Sequence, residues 1–405
     1  MDKKTKVLFV IHTLQVGGAE RILVNIANSL SVDERYDITV MTIVDMGALK
    51  EELAKNVHYD SVFKFKVLKK ISGGDKKYSA NISSSKRRNP IKKLLIKSYE
   101  YYWRHVNVRK MYKKHIEEKY DVEVAFLEGI PSKFVSHSWN KASRKIAWIH
   151  VDLIKEPKSD RFFRGIKEQK EVYSSFDDIV CVSETVKTQI IKKYNLAEHR
   201  NIKVLYNPID SNEIIRKSKE PEKTVKKKFT FCTVGRLSRQ KGYDRLIKVV
   251  KRMNDDGLDF DVWIIGVGSE ENKLRKMLSD YGINNVYLLG YKKNPYPYIK
   301  ESDVFVCSSR AEGFSTVVSE AIILQKPIVA TDCSGMKELL GNSEYGIVCN
   351  NTEDDLYKAM TKMRLDLSIF NKYRDAVGKR ARAFSYEQSL SDIKELMESK
   401  NEAAR

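Results

Sequence analysis

Two short stretches of the sequence place charged residues beside glycine at spacings that suit the binding of an anion. In the first stretch, Gly235, Arg236 and Lys241 follow the apolar run Phe229–Val234. A junction between a strand and a helix leaves backbone N–H groups free to face an anion. Arginine adds a planar fork for phosphate oxygens, and lysine adds a point charge. The pattern predicts a diphosphate site, and a solvated basic loop is the alternative that this stretch alone leaves open.

The second stretch carries carboxylates around the predicted start of a helix. Glu312 follows the apolar run Val304–Cys307, Gly313 permits a ligand to approach the backbone, and the N–H groups near Thr316 would open the helix. Glu320 lies in the first turns of that helix. Carboxylates repel phosphate but accept hydrogen bonds from hydroxyls, so we expect sugar hydroxyls at both. The alternatives are a helix-dipole partner for Glu312 and an ordinary surface residue for Glu320.

The elements that position these residues alternate between strand and helix, and they do so twice along the chain. Such alternation predicts an α/β fold with doubly wound parallel sheets, in which ligands bind beyond the carboxyl ends of the strands. The apolar runs that predict strands are Lys6–Ile11, Tyr36–Ile43, Val122–Leu127, Lys145–Ile149, Ile179–Val182, Phe229–Val234, Val262–Ile265, Val286–Leu289, Val304–Cys307 and Ile328–Thr331.

A break in the pattern divides the chain into two halves with a cleft between them. We expect one domain over residues 1–208, a second over residues 209–384, and a C-terminal helix in residues 385–405 that packs back on the first domain. The segment Lys217–Lys228, rich in Lys and Glu, has the composition of a surface connection.

The 405 residues carry 74 Lys+Arg and 54 Asp+Glu, for a net charge of +20. The stretch Lys64–Tyr120 holds 18 of these basic residues and 4 of the acidic ones. Within it, apolar and aromatic residues recur at helical spacing over Ile91–Ile116, which predicts a basic amphipathic helix suited to an anionic membrane surface. A surface helix with a solvated basic face fits equally well. Clustered cations also suit nucleic acid, but no recognised nucleic-acid module accompanies them.

The composition excludes several classes of protein. Apolar residues make up 42% of the chain, too many for a disordered one. No apolar run approaches the ~20 residues that span a bilayer, and the run after the basic N-terminus is too short for a signal peptide. The five cysteines are odd in number and form no C-x-x-C pair, so we expect buried thiols in the cytoplasm rather than disulfides or metal ligands.

The chain resembles the retaining glycosyltransferases of the GT-B fold, in particular family 4. That family carries a Glu, seven residues, Glu element, which stands here as Glu312 to Glu320. The resemblance implies two Rossmann-like domains that face each other across a cleft. Further segments in the family's order are Gly17–Arg21, Cys181–Glu184, Tyr206–Asp210, Gly235–Arg236, Lys241–Gly242, Gly290–Tyr291 and Thr331–Glu338.

The resemblance also implies roles for individual residues. Arg236 and Lys241 would bind and neutralise the donor diphosphate, Glu312 would hold hydroxyls of the donor sugar, and Glu320 would hold those of the ribose. His150 matches a family histidine that faces the transferred sugar. The remaining residues implied in donor binding are Gly17, Gly18, Gly235, Gly290, Tyr291, Gly313, Phe314, Ser315 and Thr316. Ser315 departs from the family, because glycine is frequent at that position.

The activity implied is that of a retaining, metal-independent hexosyltransferase. The nucleotide-sugar donor, with a UDP-sugar favoured, is a substrate, and we expect no cofactor and no metal. Asp259–Asp261 has the Asp-x-Asp spelling of a metal site but precedes a strand instead of following one. We expect a lipid-linked or oligosaccharide acceptor, surface polysaccharide (such as capsule) as product, and a peripheral position on the inner face of the membrane. The alternatives are a GT-B relative acting on soluble sugars, such as a sugar-nucleotide epimerase or a disaccharide synthase, and a non-enzymatic membrane- or nucleic-acid-binding protein.

Overall fold

The computed structural model describes residues 3–15, 17–64, 90–199, 201–221, 226–382 and 385–398. The chain divides into two compact units. Unit 1 comprises residues 1–208 and 387–405, and unit 2 comprises residues 209–386. The basic region expected over residues 64–120 falls in unit 1, and its residues 65–89 are outside the described part of the chain.

Unit 1 is built on a parallel sheet of seven strands. They are β1 (Thr5–Ile11), β2 (Tyr36–Val44), β3 (His58–Phe63), β4 (Val122–Ala125), β5 (Arg144–Ile149), β6 (Asp178–Cys181) and β7 (Ile202–Val204). The order across the sheet is β3-β2-β1-β4-β5-β6-β7. Its helices are α1 (Gly18–Ser31), α2 (Pro90–His105), α3 (Val108–His115), α4 (Ile130–Ser136), α5 (Ile166–Ser174) and α6 (Glu184–Tyr194), with 3-10 turns at Ala48–Glu52 and Pro157–Phe162.

Unit 2 repeats the design with six parallel strands. They are β8 (Thr230–Val234), β9 (Asp261–Ile265), β10 (Val286–Gly290), β11 (Val304–Cys307), β12 (Ile328–Thr331) and β13 (Ile347–Cys349), in the order β10-β9-β8-β11-β12-β13. The helices that follow Pro208 are α7 (Ser211–Lys217), α8 (Tyr243–Asp255), α9 (Glu271–Asp280), α10 (Tyr296–Glu301), α11 (Thr316–Ile323), α12 (Met336–Leu339), α13 (Glu353–Leu365), α14 (Leu367–Ala381) and α15 (Tyr386–Glu398), with 3-10 turns at Arg239–Lys241 and Gly341–Ser343.

The central strands of both sheets are covered on both faces. Every residue of β1 from Val7 to Ile11 is buried, and Phe231 of β8 lies in a core cluster with residues of α8 and α13 such as Leu246 and Met360. Continuous apolar runs are typical of strands that are buried on both faces. The predicted α/β class, with two doubly wound Rossmann-like sheets, is confirmed.

The predicted single helix over Ile91–Ile116 is wrong. The structure has two helices there, α2 and α3, separated at Val106 and Asn107. Asn107 caps the second helix, because its side-chain oxygen accepts the N–H of Lys110 at 3.0 Å. This bond satisfies one of the free donors of a new helix start, so the asparagine stabilises a break that the continuing apolar periodicity conceals.

The last helix, α15, packs on unit 1. Ile393, Leu396 and Met397 are buried there. The guanidinium of Arg144, on β5, donates to the carbonyl of Leu396 at 2.7 Å, and Lys394 pairs with Asp33 at 2.7 Å. The chain therefore returns to unit 1 after completing unit 2.

All five cysteines are free thiols, four of them buried and Cys349 half-buried. Within the described residues, no helix combines the length and apolar character needed to cross a membrane.

Candidate functional site

The site in unit 2 lies where the order of its strands reverses. The chain runs from β8 to β9 and β10 on one side, and β11 then returns to the opposite side of β8. The crevice at the carboxyl ends of two such strands is where doubly wound sheets bind ligands. We call this place the β8–β11 edge. It is formed by the loop 235–242 after β8 and the loop 308–315 after β11.

Backbone contacts fasten these two loops to each other. Gly242 has a φ of +68°, and a Cβ there would overlap the carbonyl oxygen of Ser308. Only glycine tolerates both conditions. The Ser308 hydroxyl donates to the Lys241 carbonyl at 2.8 Å, and the Arg310 N–H donates to the Gln240 carbonyl at 2.7 Å. Gly242 and the Lys241 carbonyl thus set the spacing between the two loops, and the Lys241 side chain supplies a positive charge.

Lys241 and Glu312 form an ion pair across this edge. Lys241 Nζ lies 2.7 Å from Glu312 Oε1, and the hydroxyl of Ser309 donates to the same oxygen at 2.5 Å. Both charged side chains are largely buried, with exposures of 20% and 10%. Burial alone would lower the pKa of Lys241, but the neighbouring Glu312 carboxylate outweighs it and the pKa is raised. The lysine is therefore held in its charged form.

Arg236 adds a cation that is available to a ligand. Its side chain is exposed, and it makes no hydrogen bond or ion pair within the described residues. It follows Gly235, whose N–H donates to the carbonyl of Ile265 at 2.9 Å. A Cβ at Gly235 would lie 2.9 Å from the hydroxyl of Tyr243, which explains glycine at this position.

The start of α11 completes the edge. Ser315 is the N-cap, yet its side chain makes no capping bond. Its hydroxyl is buried and has no partner within the described residues. Gly313 and Phe314 are buried beside Gly335, where a Cβ would overlap the carbonyl of Gly313. The first N–H groups of α11 therefore receive no cap from the Ser315 side chain, and the helix begins four residues after Glu312.

The remaining donor-site residues predicted in unit 2 lie farther along these elements. Glu320 is half-buried on α11. Gly290 ends β10 with a φ of +71°, and its carbonyl accepts the N–H of Gly266 at 2.8 Å. Tyr291, directly after it, is half-buried. Gly290 and Tyr291 therefore stand at the same carboxyl end of the sheet as Arg236, two strands away.

Arg245, on α8, is a residue that the sequence did not reveal. It is buried, and its guanidinium donates to the carbonyls of Ser308 at 2.6 Å, Ser309 at 2.6 Å and Asn351 at 3.2 Å. Thr331 also donates to the Ser309 carbonyl, at 2.6 Å. Arg245 therefore holds the loop that carries Glu312. The periodicity of α8 offers no signal that distinguishes this arginine from a surface one.

Unit 1 contains the other predicted site residues. Gly17 is the N-cap of α1 and Gly18 is its first residue. His150 directly follows β5, and its Nε2 is buried without a partner among the described residues. Burial lowers the pKa of His150 to about 3, which keeps the ring neutral.

The sequence is similar to those of known glycosyltransferases. Residues 214–384 match the family model of glycosyl transferases group 1. A glycosyltransferase of Methanocaldococcus jannaschii is 31% identical over 202 residues, which are 48% of this chain and 50% of that protein. An N-acetylgalactosaminyltransferase of Campylobacter jejuni, which acts on a diphospho-undecaprenol-linked acceptor, is 29% identical over 53% of this chain and 58% of its own length. A capsular polysaccharide biosynthesis glycosyltransferase of Staphylococcus aureus is 27% identical over 51% of this chain and 56% of its own length. The chain thus spans about half of the length of these relatives.

Solved structures match nearly the whole chain. Anabaena HepE, in complex with UDP and glucose, aligns with a TM-score of 0.69 and 18% identity over 97% of this chain and 99% of that one. Staphylococcus aureus TarM, solved with UDP, aligns with a TM-score of 0.68 and 16% identity over 98% of this chain and 100% of the TarM chain. The fold is GT-B.

Proposed function

We propose that this protein is a glycosyltransferase that transfers a sugar from a nucleotide-diphosphate donor, with UDP-sugars favoured, to a glycan acceptor in surface polysaccharide biosynthesis. The observation that carries the proposal is the pairing of opposite charges at the β8–β11 edge. A buried Lys241–Glu312 pair shares the loops of this edge with Arg236, whose side chain has no partner among the described residues, and with the start of α11, which has no side-chain cap. Cations and helix N–H groups suit a diphosphate, and a carboxylate suits sugar hydroxyls.

The mechanism we propose needs no metal. Departure of the nucleotide places negative charge on the terminal phosphate, and Arg236, Lys241 and the start of α11 stabilise that charge as preorganised groups. We propose retention of anomeric configuration by front-face attack, in which the leaving phosphate itself takes the acceptor proton. Glu312 then orients the donor sugar and does not act as a nucleophile. The test is transfer in EDTA: loss of activity that Mg²⁺ restores would contradict the proposal.

We propose that the acceptor is lipid-linked and that unit 1 works at an anionic membrane surface on the cytoplasmic side. α2 supports this: Leu94 and Tyr101 are 65% and 64% exposed, and Ile96 is 42% exposed, with the exposed Lys97 between them. Exposed apolar residues interleaved with cations suit the boundary between headgroups and acyl chains. Co-sedimentation with anionic vesicles should fall at least about tenfold in Leu94→Asp. The change removes an apolar side chain worth about 1.5–3 kcal/mol when it is buried, and it adds a negative charge that anionic lipids repel. Unchanged sedimentation would contradict the membrane role.

The decisive experiment for the donor is a thermal-shift screen of UDP, GDP, ADP and UDP-sugars without metal. A ligand that binds only the folded state raises its melting temperature, by an amount that follows the ratio of ligand concentration to Kd. We expect one nucleotide class to raise the melting temperature and Arg236→Ala to remove most of that rise. If no nucleotide shifts the transition, the proposed donor site is wrong.

Arg239→Ala is the matched control. Arg239 is also an exposed arginine of the 235–242 loop, three residues from Arg236, and its side chain makes no ion pair within the described residues. The two variants remove the same charge from the same loop. Equal losses in both would mean that net charge, not the specific place of Arg236, attracts the nucleotide.

A further inference from the structure

The two carboxylate oxygens of Glu312 have different surroundings. Oε1 accepts hydrogen bonds from Lys241 Nζ at 2.7 Å and from the Ser309 hydroxyl at 2.5 Å. Oε2 has no hydrogen-bond or ion-pair partner within the described residues. An ionised carboxylate can accept about four hydrogen bonds over its two oxygens, so Oε2 keeps its accepting capacity for a ligand. The direction in which Oε2 points is therefore set by the groups that hold Oε1.

The hydroxyl of Ser309 is itself held by a thiol. Cys307, the last residue of β11, donates from Sγ to Ser309 Oγ at 3.5 Å. Burial and the neighbouring Glu312 raise the pKa of the Cys307 thiol, so the sulfur keeps the proton that it donates. An ionised Glu312 can only accept, and the single hydroxyl proton of Ser309 therefore points at Oε1. Cys307, Ser309 and Glu312 form a chain of hydrogen bonds that runs in one direction.

The backbone of Ser309 is held as firmly as its side chain. Its carbonyl accepts three hydrogen bonds, from the guanidinium of Arg245 at 2.6 Å, the hydroxyl of Thr331 at 2.6 Å and the thiol of Cys333 at 2.9 Å. The residue is also buried. Because a shift of Ser309 would break these bonds, its hydroxyl stays in one place and the carboxylate of Glu312 turns to meet it.

We propose that Ser309 is a positioning residue for the donor sugar: its hydroxyl, oriented by Cys307, turns the Glu312 carboxylate so that Oε2 faces the hydroxyls of that sugar. Lys241 alone would not fix this direction, because an ammonium is a point charge that either carboxylate oxygen can approach. The serine adds a second, directional donor to the same oxygen. This inference rests on the proposed function and deepens it by naming the residue that sets the geometry of the sugar site.

The titratable groups that face Glu312 come from four elements. They are Lys241 in the loop after β8, Tyr243 on α8, Cys307 on β11 and Cys333 after β12. Burial raises the pKa of the tyrosine and of both thiols, and the pKa of Lys241 is raised because the carboxylate outweighs the effect of burial. None of the four changes its charge on the acid side of neutral pH. Among these groups, a loss of activity in acid therefore reports Glu312.

The test is steady-state hydrolysis of a nucleotide sugar without acceptor, which isolates the donor site. The probes are UDP-glucose, UDP-galactose, UDP-N-acetylglucosamine, UDP-N-acetylgalactosamine, GDP-mannose and ADP-glucose. Ser309→Ala should lower kcat about 10- to 100-fold and change KM less than about threefold. The contacts that bind the diphosphate remain in this variant, whereas the sugar loses its orientation. Circular dichroism checks that the variant is folded.

Two further measurements on Ser309→Ala separate positioning from a structural role. Without the hydroxyl, an ionised Glu312 loses a hydrogen bond that favours it, so the acid limb of kcat against pH should move to higher pH by about 1 unit. Affinity for the free nucleoside diphosphate, measured by calorimetry, should not change, because that ligand carries no donor sugar.

Cys307→Ala tests the first hydrogen bond of the chain. Its kcat should fall about three- to tenfold, less than in Ser309→Ala, because the hydroxyl loses the donor that orients it but still reaches Oε1. Cys232→Ala is the control for this variant. Cys232 is also a buried thiol, in β8, and its replacement should leave kcat unchanged. Equal kcat values in the two cysteine variants would contradict a role for the thiol in orienting Ser309.

Ser302→Ala is the matched control for Ser309→Ala. Ser302 is a buried serine of unit 2 that precedes β11, its hydroxyl donates to the Ile299 carbonyl at 2.8 Å, and its own carbonyl accepts Lys326 Nζ at 2.9 Å. Its kcat should not change. If Ser309→Ala matches this control in kcat or in the position of the acid limb, or loses affinity for the nucleoside diphosphate, the inference is overturned and the proposed function stands. A wild-type protein that hydrolyses none of the probes and binds no nucleotide would overturn the proposed function and the inference with it.

Discussion

In unit 1 the strand order reverses between β1 and β4, and we call the carboxyl ends of these two strands the β1–β4 edge. It occupies the same place in its sheet as the β8–β11 edge of unit 2, yet the charges at the two edges differ. The β8–β11 edge joins Lys241 to Glu312 and adds the cation of Arg236. The β1–β4 edge presents Glu128 with no cation paired to it among the described residues, beside histidines whose rings are uncharged. A doubly wound sheet fixes where a ligand binds, and the side chains in its loops decide which ligand that is.

The two edges also differ in how much the fold must do to hold them. Buried charges need several partners, since an unpaired one costs several kcal/mol. At the β8–β11 edge, the Ser309 hydroxyl donates to Glu312, and the guanidinium of Arg245 donates to the Ser309 carbonyl. Gly242 lets the two loops approach each other closely. At the β1–β4 edge a single carboxylate is satisfied by backbone N–H groups. The β8–β11 edge is therefore held by more contacts than the β1–β4 edge.

The largest effect is expected from Glu312→Ala. Removing the carboxylate deletes the hydroxyl acceptor and frees Lys241 from its partner, so transfer should fall at least about 100-fold while the fold is retained. Steady-state transfer and circular dichroism measure the two properties. Glu353→Gln, an exposed carboxylate of unit 2 paired with Lys248 at 3.0 Å, is the control. A folded Glu312→Ala protein with near-normal turnover would mean that the charged edge is not where the donor sugar binds.

Arg245→Met should cost about 3 kcal/mol of unfolding free energy, because it leaves several buried carbonyls without a donor. Urea denaturation checks this value. Arg252 lies on the same helix but is exposed and pairs with Asp354, so Arg252→Met should cost less than about 1 kcal/mol. Equal losses of unfolding free energy in the two variants would mean that the hydrogen bonds of Arg245 do not stabilise the loops of the β8–β11 edge.

Gly242→Ala and Gly257→Ala separate backbone strain from loop contact. Both glycines have left-handed φ values, +68° and +75°, but a Cβ at Gly257 meets no atom within 4 Å. Strain alone costs roughly 1–2 kcal/mol. We therefore expect Gly257→Ala to lose about 1 kcal/mol and Gly242→Ala about 1–2 kcal/mol more, since its Cβ forces the two loops apart. Thermal melts of both proteins measure the difference, and identical losses would contradict the contact.

The last prediction concerns the pH dependence of stability at the β1–β4 edge. An unfolded histidine takes up a proton near pH 6.5, whereas folded His12 and His150 do so only near about 4 and 3. The unfolded chain thus binds more protons in between, and stability falls as pH drops from about 6.5 to 4, by roughly 1 kcal/mol per pH unit for each histidine. His150→Asn should flatten that slope by one proton in urea titrations at several pH values. An unchanged slope would place His150 in solvent.

The central strands follow from the sequence, whereas three of the four outermost strands do not; the fourth, β10, is predicted. Uninterrupted apolar runs such as those of β1 and β8 can only be buried strands in an alternating pattern. The outer strands β3, β7 and β13 carry no such signal, because half-exposed residues fill them. A strand that is only partly buried mixes polar and apolar residues, so its sequence pattern resembles that of a loop.

The site divides in the same way. Lys241 and Glu312 are found from the sequence because glycine and charge surround them at fixed spacing. Arg245 and Glu128 are not, since each is a single charged residue whose importance comes from partners that are distant in sequence, Ser309 and His150. Tertiary contacts of this kind become visible only when the loops are placed next to each other.

The return of α15 to unit 1 has a consequence for the order of events during synthesis. Residues 209–386 of unit 2 are contiguous and emerge from the ribosome as a complete folding unit, while unit 1 still lacks the helix that covers it. Until Leu396 and Met397 have been translated, Arg144 lacks its carbonyl acceptor, and the apolar surface of unit 1 beneath α15 stays open to water. Unit 1 therefore begins to be synthesised first but completes its fold last. We expect a nascent chain that stalls before residue 386 to bind chaperones through this exposed apolar surface.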